Sequence, residues 1–387
     1  MQVIPYGRQD IDQADLQAVL DVLQSDWLTQ GPAITRFEEL VAGYCGASHA
    51  LAASNATAAL HLACRALGLG PGDRLWTSPN TFVASANCAL YCGAEVDFVD
   101  IDPQTYNMSV SALEAKLEQA EKIGNLPKVV VPVHFAGQSC DMAAIKKLAD
   151  RYGFAIVEDA SHAVGARYLD TMVGSCQYSD ITVFSFHPVK IITTGEGGLL
   201  LTNRQDLAVR LALLRSHGIT RDPEAMITPS EGPWYYQQVD LGYNYRMTDI
   251  QAALGASQMR RLDTFVVRRR ELAQRYDAML TDLPVIRPWQ SPEGASAFHL
   301  YPIQIDAEHT SKGRREVFEA LRASGIGVNV HYIPVHTQPY YQALGFRPGD
   351  FPEAERYYER GISLPMYAAL SDTDQDRVVA ALRGALQ

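Results

Sequence analysis

Residues 154–163 read FAIVEDASHA, an apolar strand that ends on two acidic side chains, Glu158 and Asp159. The next apolar run ends at Ser185, and a glycine-rich turn after it carries Lys190. In an open parallel sheet, ligands bind at the carboxyl ends of the strands. A carboxylate and a lysine at the ends of two successive strands therefore predict a ligand site at one edge of a parallel sheet.

The chemistry of Lys190 and Asp159 narrows the class of ligand. Pyridoxal phosphate needs an amine at its aldehyde and an anion opposite its ring nitrogen. Ser185, five residues before Lys190, is placed to bind an anionic group on the same molecule. Taken alone, a lysine in a loop is more often a solvated surface charge, and an aspartate after a strand is more often a turn former or a cap. The joint pattern favours a cofactor site.

The composition indicates a globular protein with room for two domains. The chain has 387 residues, of which 47% are hydrophobic and 20% are charged. Its net charge of -11 would repel a phosphate backbone, so we expect no nucleic-acid partner. The arginine-dense stretch at residues 260–270 is interpreted as a mostly solvated helix surface, with an anionic ligand or a partner subunit as the alternative.

The cysteines and histidines show no metal-site pattern. The six cysteines lie among apolar residues without a CxxC pair, so we expect buried packing residues rather than zinc ligands or a disulfide framework. His331 and His336 are five residues apart without a carboxylate or cysteine partner nearby in sequence, and a substrate-side role is preferred. We therefore expect no metal.

The first residues and the apolar runs of the chain indicate its cellular location. The first residues, MQVIPYGR, lack the charged and apolar regions of a signal peptide, and no apolar run approaches the length of a membrane span. Together with the cysteine pattern, this predicts a reducing, cytoplasmic location and no membrane partner.

Short apolar runs alternate with amphipathic stretches in the first part of the chain. Between residues 133 and 154, apolar side chains keep a helical spacing that ends at Gly153. This alternation predicts an α/β domain with a mainly parallel seven-stranded sheet and helices on both faces. The predicted strands cover residues 49–53, 74–77, 96–99, 128–133, 154–157, 181–185 and 198–201.

The pattern changes near residue 250. We predict one long helical stretch at residues 248–281, and then a strand at 297–305, a helix at 312–324, a strand at 328–332 and a final helix from Asp372. The predicted domains are an N-terminal segment with a large cofactor-binding domain (1–250) and a small α+β domain (251–387), joined rigidly through the long helix.

The order and spacing of the motifs over nearly the whole chain resemble one family. The chain is similar to the DegT/DnrJ/EryC1/StrS sugar aminotransferases, which are fold-type I pyridoxal phosphate enzymes. The motifs that carry the resemblance are LTQG (28–31), SNATAAL (54–60), TFVA (81–84), EDASH (158–162), the Lys190 segment, GYNYRM (242–247) and VHY (330–332).

The resemblance implies a cofactor site. Pyridoxal 5'-phosphate would be bound covalently to Lys190, which would also move the proton in catalysis, and Asp159 would pair with the ring nitrogen. Phe82 would stack on the ring and His162 would lie near the ring hydroxyl. The implied phosphate ligands are Ala56, Thr57, Ala58, Ser185 and, from a neighbouring subunit of a homodimer, Asn244.

Each of these positions has a structural alternative. Ser54 or Asn55 could simply cap the helix that follows it. Ser185 could be a buried strand serine bonded to the backbone, Phe82 a core side chain, His162 a structural histidine and Asn244 a plain loop residue.

The resemblance also implies a reaction and a substrate. L-Glutamate would load an amino group onto the cofactor, and a nucleotide-linked keto-sugar would accept it. Residues 88–100, 215–218, 234–236 and 362–365 favour the branch that acts at C4 of a UDP-linked 4-keto-6-deoxy-N-acetylhexosamine. The implied sugar-nucleotide contacts are Tyr6, Leu28, Thr29, Asn329, His331 and Tyr332.

Four other interpretations of the sequence compete with this one. A purely structural or scaffold protein would leave the set of Asp159, Ser185 and Lys190 unexplained. A dehydratase of the same family would carry histidine in place of Lys190. A non-catalytic sugar-nucleotide sensor would keep the fold but lose the lysine or the aspartate, and neither is lost here. An aminotransferase for amino acids alone would not bind UDP.

Overall fold

The computed structural model describes residues 3–387. Within this part of the chain, short 3-10 turns occur at Phe135–Gly137, Pro223–Ala225 and Val335–Thr337. The α-helices are α1 (Gln13–Leu23), α2 (Pro32–Cys45), α3 (Ala56–Ala66), α4 (Ala84–Tyr91), α5 (Val110–Ile123), α6 (Met142–Tyr152), α7 (Gln205–Arg215), α8 (Asp249–Met259), α9 (Leu262–Met279), α10 (Arg314–Ala323), α11 (Pro339–Ala343), α12 (Pro352–Arg360) and α13 (Asp372–Ala385).

Within the described residues, the strands form one large sheet and three small ones. They are β1 (His49–Ala53), β2 (Arg74–Thr77), β3 (Glu95–Phe98), β4 (Val129–Val131), β5 (Ala155–Asp159), β6 (Arg167–Tyr168), β7 (Thr171–Met172), β8 (Ile181–Ser185), β9 (Gly198–Thr202), β10 (Ile219–Thr220), β11 (Gln237–Gln238), β12 (Val285–Ile286), β13 (Gly294–Ala295), β14 (Tyr301–Ile305) and β15 (Gly361–Leu364).

The large sheet has seven strands in the order β1-β9-β8-β5-β4-β2-β3. Its pairs from β8 to β3 are parallel, whereas β9 runs antiparallel to both β8 and β1. Ile156 and Val157, adjacent in β5, belong to separate cores on the two faces of the sheet, one with α5 and α6 and the other with α3 and α7. The predicted mainly parallel sheet with helices on both faces is confirmed.

The helix α6 shows why the local predictions succeed. Its buried side chains recur at the spacing of one helix face, from Met142 and Ile145 to Tyr152. Gly153 ends the helix in the left-handed conformation, with a φ of 79°, which glycine adopts without a Cβ penalty.

Three chain segments reach the same edge of the large sheet. Asp159, the last residue of β5, pairs with Val183 of β8, so Ser185 lies farther along the neighbouring strand. Because β9 is antiparallel to β8, its first residue Gly198 lies opposite Ser185. Gly198 also pairs with Ala53, the last residue of β1. The start of α3, the end of β5 and the end of β8 therefore meet at one edge.

The C-terminal part differs from the sequence prediction in two elements. Residues 248–281 form two helices, α8 and α9, because the helix breaks at Arg260 and Arg261. Residues 328–332 form no strand; only Asn329 makes a bridge, with Ser363 of β15. A three-stranded antiparallel sheet, β12-β14-β15, packs with α9, α10 and α13 around a separate core.

The division at residue 250 stays a proposal. It falls at the start of α8, whose buried Ala252 and Ala256 pack into a core of the large sheet. Ile4, from the start of the described chain, packs into the small core instead. The first turns of α9 pack into the core of the large sheet as well, and its later turns pack into the small core, so α9 joins the two cores.

One side chain of the arginine-dense stretch departs from the predicted solvated helix surface, whereas Arg260 at the start of the stretch is exposed. Arg269 is 1% exposed, and its guanidinium donates to the carbonyl oxygens of Phe298, His299 and Met366 at 3.0–3.2 Å. The helix α9 faces backbone carbonyls of two chain segments, which a long guanidinium side chain satisfies. Helical spacing alone did not reveal these acceptors.

All six cysteines are buried and free, as the packing interpretation predicted. Within residues 3–387, no helix combines the length and the apolar character that crossing a membrane requires.

Candidate active site

Lys190 lies in the turn that joins β8 to β9. The turn is closed by backbone hydrogen bonds from Phe186 N to Gly197 O (2.9 Å) and from Lys190 N to His187 O (2.8 Å). A Cβ on Gly197 would lie 2.1 Å from Thr194 Oγ1, so the close packing of the turn requires glycine there. The lysine is therefore carried by a tightly bonded turn at the site edge of the sheet.

Burial and charge set the protonation of Lys190. Burial lowers the pKa of its amine to about 8, against the opposing attraction of the Asp159 carboxylate. The positive charge of Lys190 in turn helps burial to lower the pKa of His162 and of His331, the latter to about 3. The side chains of Lys190, Asp159, His162 and His331 therefore interact electrostatically within one site.

Asp159 is held on both of its carboxylate oxygens. Ser85 Oγ donates to Oδ2 at 2.6 Å, and Ser161 N donates to Oδ1 at 3.1 Å. Ser85 Oγ also lies 2.8 Å from Thr81 Oγ1. Asp159 is 5% exposed and Ser85 is fully buried. A buried carboxylate with this support keeps one fixed orientation.

The start of α3 leaves backbone amides without helical partners. Asn55 caps the helix, because its Oδ1 accepts from Ala58 N at 2.8 Å. The N-cap alternative is thus correct for Asn55, and the Ala58 amide has this bond already. The amides of Ala56 and Thr57, in the first turn, have no i−4 carbonyl within the helix, and such amides bind anions.

Ser185 adds a hydroxyl to this end of α3. Its side chain is buried, and it makes no hydrogen bond within residues 3–387, so the alternative of a backbone-bonded serine is wrong. A Cβ on the neighbouring Gly198 would lie 2.5 Å from the carbonyl carbon and oxygen of Asn55. The glycine therefore allows β9 to approach the start of α3 closely.

His162 is held in one tautomer by its two neighbours. Ala136 N donates to Nδ1 at 3.3 Å, so the ring proton is on Nε2, which lies 3.0 Å from Tyr332 Oη. Burial, with the charge of Lys190, holds the pKa of His162 well below its ordinary value. His162 is therefore neutral and donates to the Tyr332 hydroxyl.

Aromatic and polar side chains from residues 329–332, from the segment before α4 and from the N-terminal segment lie beside this group. The Phe82 ring, 58% exposed, lies 6.5 Å from the Tyr332 ring, so Phe82 is not a core side chain. His331 Nδ1 lies 2.8 Å from Ser363 Oγ, and its ring lies 5.6 Å from that of Tyr6. Asn329 Nδ2 lies 3.3 Å from His331 Nε2.

Three predicted site residues lie apart from this cluster. Leu28 and Thr29 are exposed and lie beside the start of α8, where Leu28 O accepts from Asp249 N at 3.1 Å. Asn244 is exposed on a loop bridged to Ser216. Within residues 3–387, none of the three makes a hydrogen bond or ring contact with Lys190, Asp159 or Tyr332.

The sequence analysis missed a buried polar network behind Asp159. His134 Nε2 lies 2.7 Å from Glu158 Oε2, and His134 Nδ1 accepts from Cys140 N at 3.1 Å. Burial raises the pKa of Glu158, but the hydrogen bonds from His134, Ser179 and Thr182 outweigh it, and the pKa falls below its ordinary value. Because Glu158 precedes Asp159 in a strand, it points to the opposite face, a signal that alternation could have given.

Ser85 was missed for a different reason. It is one serine in the first turn of an apolar helix, and nothing in its own neighbourhood points to Asp159, which is 74 residues away in sequence. Only the packing of α4 against the end of β5 reveals the contact.

The residues at this edge fit pyridoxal phosphate. The Lys190 amine, whose pKa is lowered by burial, suits the aldehyde, and the fixed carboxylate of Asp159 suits the ring nitrogen. The two amides at the start of α3 and the Ser185 hydroxyl suit the phosphate. Within the described chain, no group of three or more histidine, cysteine, aspartate or glutamate side chains is arranged to hold a metal ion. Fold and site together define a pyridoxal phosphate-dependent aminotransferase of fold type I.

Comparison with known proteins gives the family. The model of the DegT/DnrJ/EryC1/StrS aminotransferase family matches residues 9–383, and the chain belongs to that family. The spore coat polysaccharide biosynthesis protein SpsC of Bacillus subtilis is 43% identical over 383 residues, 98% of this chain and 96% of the relative.

Solved structures agree in fold over the whole chain. PseC of Helicobacter pylori, an aminotransferase involved in the biosynthesis of pseudoaminic acid, has a TM-score of 0.91 at 31% identity and covers 100% of this chain and 99% of its own. The pyridoxal phosphate form of the sugar aminotransferase Spr1654 of Streptococcus pneumoniae has a TM-score of 0.87 at 28% identity, with 100% of both chains covered. The predicted family, cofactor and enzyme class are confirmed.

Proposed function

We propose that the protein transfers an amino group from L-glutamate to C4 of a UDP-linked 4-keto-6-deoxy-N-acetylhexosamine. The product would be UDP-4-amino-4,6-dideoxy-N-acetyl-β-L-altrosamine of the pseudaminic acid pathway. The observation that carries aminotransfer is the half-buried Lys190, whose amine lies within electrostatic reach of Asp159, a carboxylate that accepts a hydrogen bond on each oxygen. The full-length likeness to the Helicobacter pylori protein supports the choice of sugar.

Each cofactor contact is part of this proposal. The cofactor, when bound, supplies an electron sink for the bonds that break at the amino carbon. Asp159 would keep the ring nitrogen protonated, and Ala56, Thr57 and Ser185 would bind the phosphate, with Ala58 contributing through the same helix turn. Lys190 would carry the aldehyde and then move a proton as a base, which a pKa of about 8 favours near neutral pH.

The sugar would bind between the two domains. His331, with a pKa of about 3, stays neutral, so its ring would lie beside the sugar without adding a charge. Tyr332 receives the His162 proton at its oxygen, which leaves its own O–H free to donate to the substrate. Tyr6 and Asn329 lie beside His331, and Phe82 would cover the cofactor ring.

Three contacts would complete the site from outside this cluster. Leu28 and Thr29 would approach the nucleotide, and Asn244 would bind the phosphate of a partner subunit. Exposure of these residues in one chain supports a homodimer with shared sites. A cytoplasmic location also belongs to the proposal.

A second candidate is an aminotransferase for another nucleotide-linked keto-sugar, with UDP or dTDP and a 3- or 4-keto group. The 43% identity to the Bacillus subtilis spore coat polysaccharide protein favours it. The two candidate substrates differ in the orientation of single hydroxyl groups, and the pocket residues that contact those groups decide which substrate binds. The fold alone does not determine these residues.

The test is a substrate panel. Purified protein is incubated with L-glutamate and UDP- or dTDP-linked 3-keto and 4-keto sugars, and products are identified by mass spectrometry and NMR. We expect a 4-amino product from the UDP-linked 4-keto-6-deoxy-N-acetyl sugar, and none with Lys190→Ala. Amination of 3-keto or dTDP-linked sugars alone would overturn the choice of substrate, and transfer between amino acids alone would overturn the sugar assignment.

A further inference from the structure

A buried histidine that the proposed reaction does not use lies against His162. His299, just before β14, is 4% exposed, and its ring centroid lies 4.3 Å from that of His162, with the two ring planes at 44°. The rings of Phe135 and Tyr332 lie farther from His162, at 6.3 Å and 6.0 Å. His299 is therefore a direct packing partner of the His162 ring.

The segment 297–300 is fixed against the same turn that holds His162. The first and last amides of this segment donate to Gly137 O at 3.1 Å and to Ala136 O at 3.3 Å. The Ala136 amide in turn donates to His162 Nδ1. One short turn therefore holds two histidines that come from distant parts of the chain.

Gly137 makes this close approach possible. A Cβ there would lie 2.9 Å from Phe298 N and 3.0 Å from both His299 N and His162 O, and its φ is 103°, which glycine adopts freely. The buried guanidinium of Arg269 donates to His299 O at 3.2 Å. The backbone of His299 is thus held by contacts to both the turn and α9.

The nitrogens of His299 do not explain its place in the fold. Within residues 3–387, its ring makes no hydrogen bond, and its Nδ1 is buried without a partner. Burial, with the charges of Lys190 and Arg269, holds the pKa of His299 well below its ordinary value, so the ring is neutral. A neutral ring lies against His162 without charge repulsion, and it keeps water away from that side chain.

We propose that His299 is a positioning residue that fixes the His162 ring in the orientation in which its Nε2–H reaches the Tyr332 hydroxyl. Without the His299 ring, His162 would be free to rotate about its Cβ–Cγ bond, and water would enter beside it. Hydration favours the imidazolium form, whose N–H at Nδ1 would face the Ala136 amide and break that hydrogen bond. The substrate contact of Tyr332 rests on the proposed function, but the packing of the two histidines does not.

Nuclear magnetic resonance of the holoprotein tests the proposal without any substrate. The protein carries isotope-labelled histidine in a deuterated background, and the signals of His162 and His299 are assigned by their loss in His162→Gln and His299→Phe. We expect an Overhauser effect between the two rings. We also expect nitrogen shifts of a neutral His162 with its proton on Nε2, unchanged from about pH 8 down to about pH 6. Rings without an Overhauser effect, or a His162 proton on Nδ1, would overturn the proposal.

Variants separate positioning from general stability. His299→Ala is expected to give mixed His162 tautomers and to raise the His162 pKa toward its ordinary 6.5, because water replaces the lost ring. His299→Phe keeps a flat ring and should retain the wild-type His162 signals.

His61→Ala is the matched control. His61 is 5% exposed, and its ring lies 4.7 Å from that of Tyr243, so the substitution removes an equally buried ring with a similar contact. The His162 signals should not change in this variant. The same His162 signals in His299→Ala as in the wild type, or an equal change in His61→Ala, would contradict the assigned role. If His299→Ala fails to fold, the wild-type Overhauser effect and tautomer decide.

Discussion

At the residue scale, the site depends on how burial and one carboxylate set the proton affinity of Lys190. Burial disfavours the ammonium form, and the Asp159 carboxylate opposes this, with a net pKa of about 8 against an ordinary 10.5. An amine must be neutral to attack an aldehyde, so the fraction able to bind pyridoxal phosphate rises tenfold per pH unit below the pKa.

Cofactor capture should therefore depend on pH with a midpoint near 8. The rate at which the apoprotein binds pyridoxal phosphate, followed by absorbance in a stopped-flow instrument, should rise from pH 6 and level off above the midpoint. The Lys146→Ala variant, which removes a half-exposed lysine of α6, should give the same curve. A midpoint near the ordinary value of 10.5 would show that burial does not act on Lys190.

Ser85 should matter because it fixes the carboxylate rather than touching the cofactor. Removing a hydrogen bond to a charged group costs about 1.5–3 kcal/mol, so Ser85→Ala should weaken pyridoxal phosphate binding about 10- to 100-fold. Equilibrium titration, together with the absorbance spectrum of the bound cofactor against pH, measures this effect.

Ser78→Ala is the matched control for Ser85→Ala. Ser78 is equally buried, but its hydroxyl makes no hydrogen bond, so cofactor affinity and spectrum should not change. Equal effects of the two substitutions would mean that Ser85 acts only through packing.

At the element scale, β9 and α3 meet so closely that one glycine separates them. A Cβ on Gly198 would lie 2.5 Å from Asn55 backbone atoms and 2.7 Å from Ala56 N. Gly198→Ala should push the start of α3 outward, lower the free energy of unfolding by about 1–3 kcal/mol and weaken cofactor binding. Thermal unfolding and cofactor titration measure both.

Gly43→Ala provides the control, because Gly43 lies in α2 with open space around its Cα. Alanine there should stabilise the helix by about 0.5–1 kcal/mol without any change in cofactor affinity. A Gly198→Ala protein as stable as wild type would contradict the close approach.

The sequence predicts elements well where local pattern and packing agree. The seven large-sheet strands are short apolar runs bounded by turns, and each lies within two residues of its predicted place. The prediction fails at residues 328–332, where alternating side chains resemble a strand but only Asn329 finds a partner, in β15. It also fails at the break between α8 and α9, and at Arg269.

The residues of the candidate site likewise fall into those that the sequence predicts and those that it does not. Asp159, Ser185 and Lys190 follow from strand ends and a glycine-rich turn, which sequence displays directly. Ser85 and His134 depend on contacts between distant segments, and no local pattern encodes those.

At the scale of the whole molecule, the proposed homodimer makes a testable statement about Asn244. If Asn244 acts in the partner's site, Lys190→Ala and Asn244→Ala subunits should complement each other, because a mixed dimer keeps one intact site. An equal mixture of exchanging subunits should recover about a quarter of wild-type activity from two inactive or weak variants.

Lys190→Ala mixed with Asp159→Ala is the control for this experiment. Both of these residues serve the site of their own chain, so no mixed dimer has an intact site and activity should stay at background. Recovery in the control but not in the Asn244 mixture would contradict the proposed sharing of sites.

The central claim is that the Lys190 amine bonds to the cofactor aldehyde, and borohydride reduction of the holoprotein tests it most directly. Peptide mass spectrometry should find the reduced pyridoxyl phosphate on the peptide that contains Lys190. The Lys190→Ala protein should keep its circular dichroism spectrum and acquire no such group. Attachment to a different lysine, or no attachment in wild type, would contradict the account.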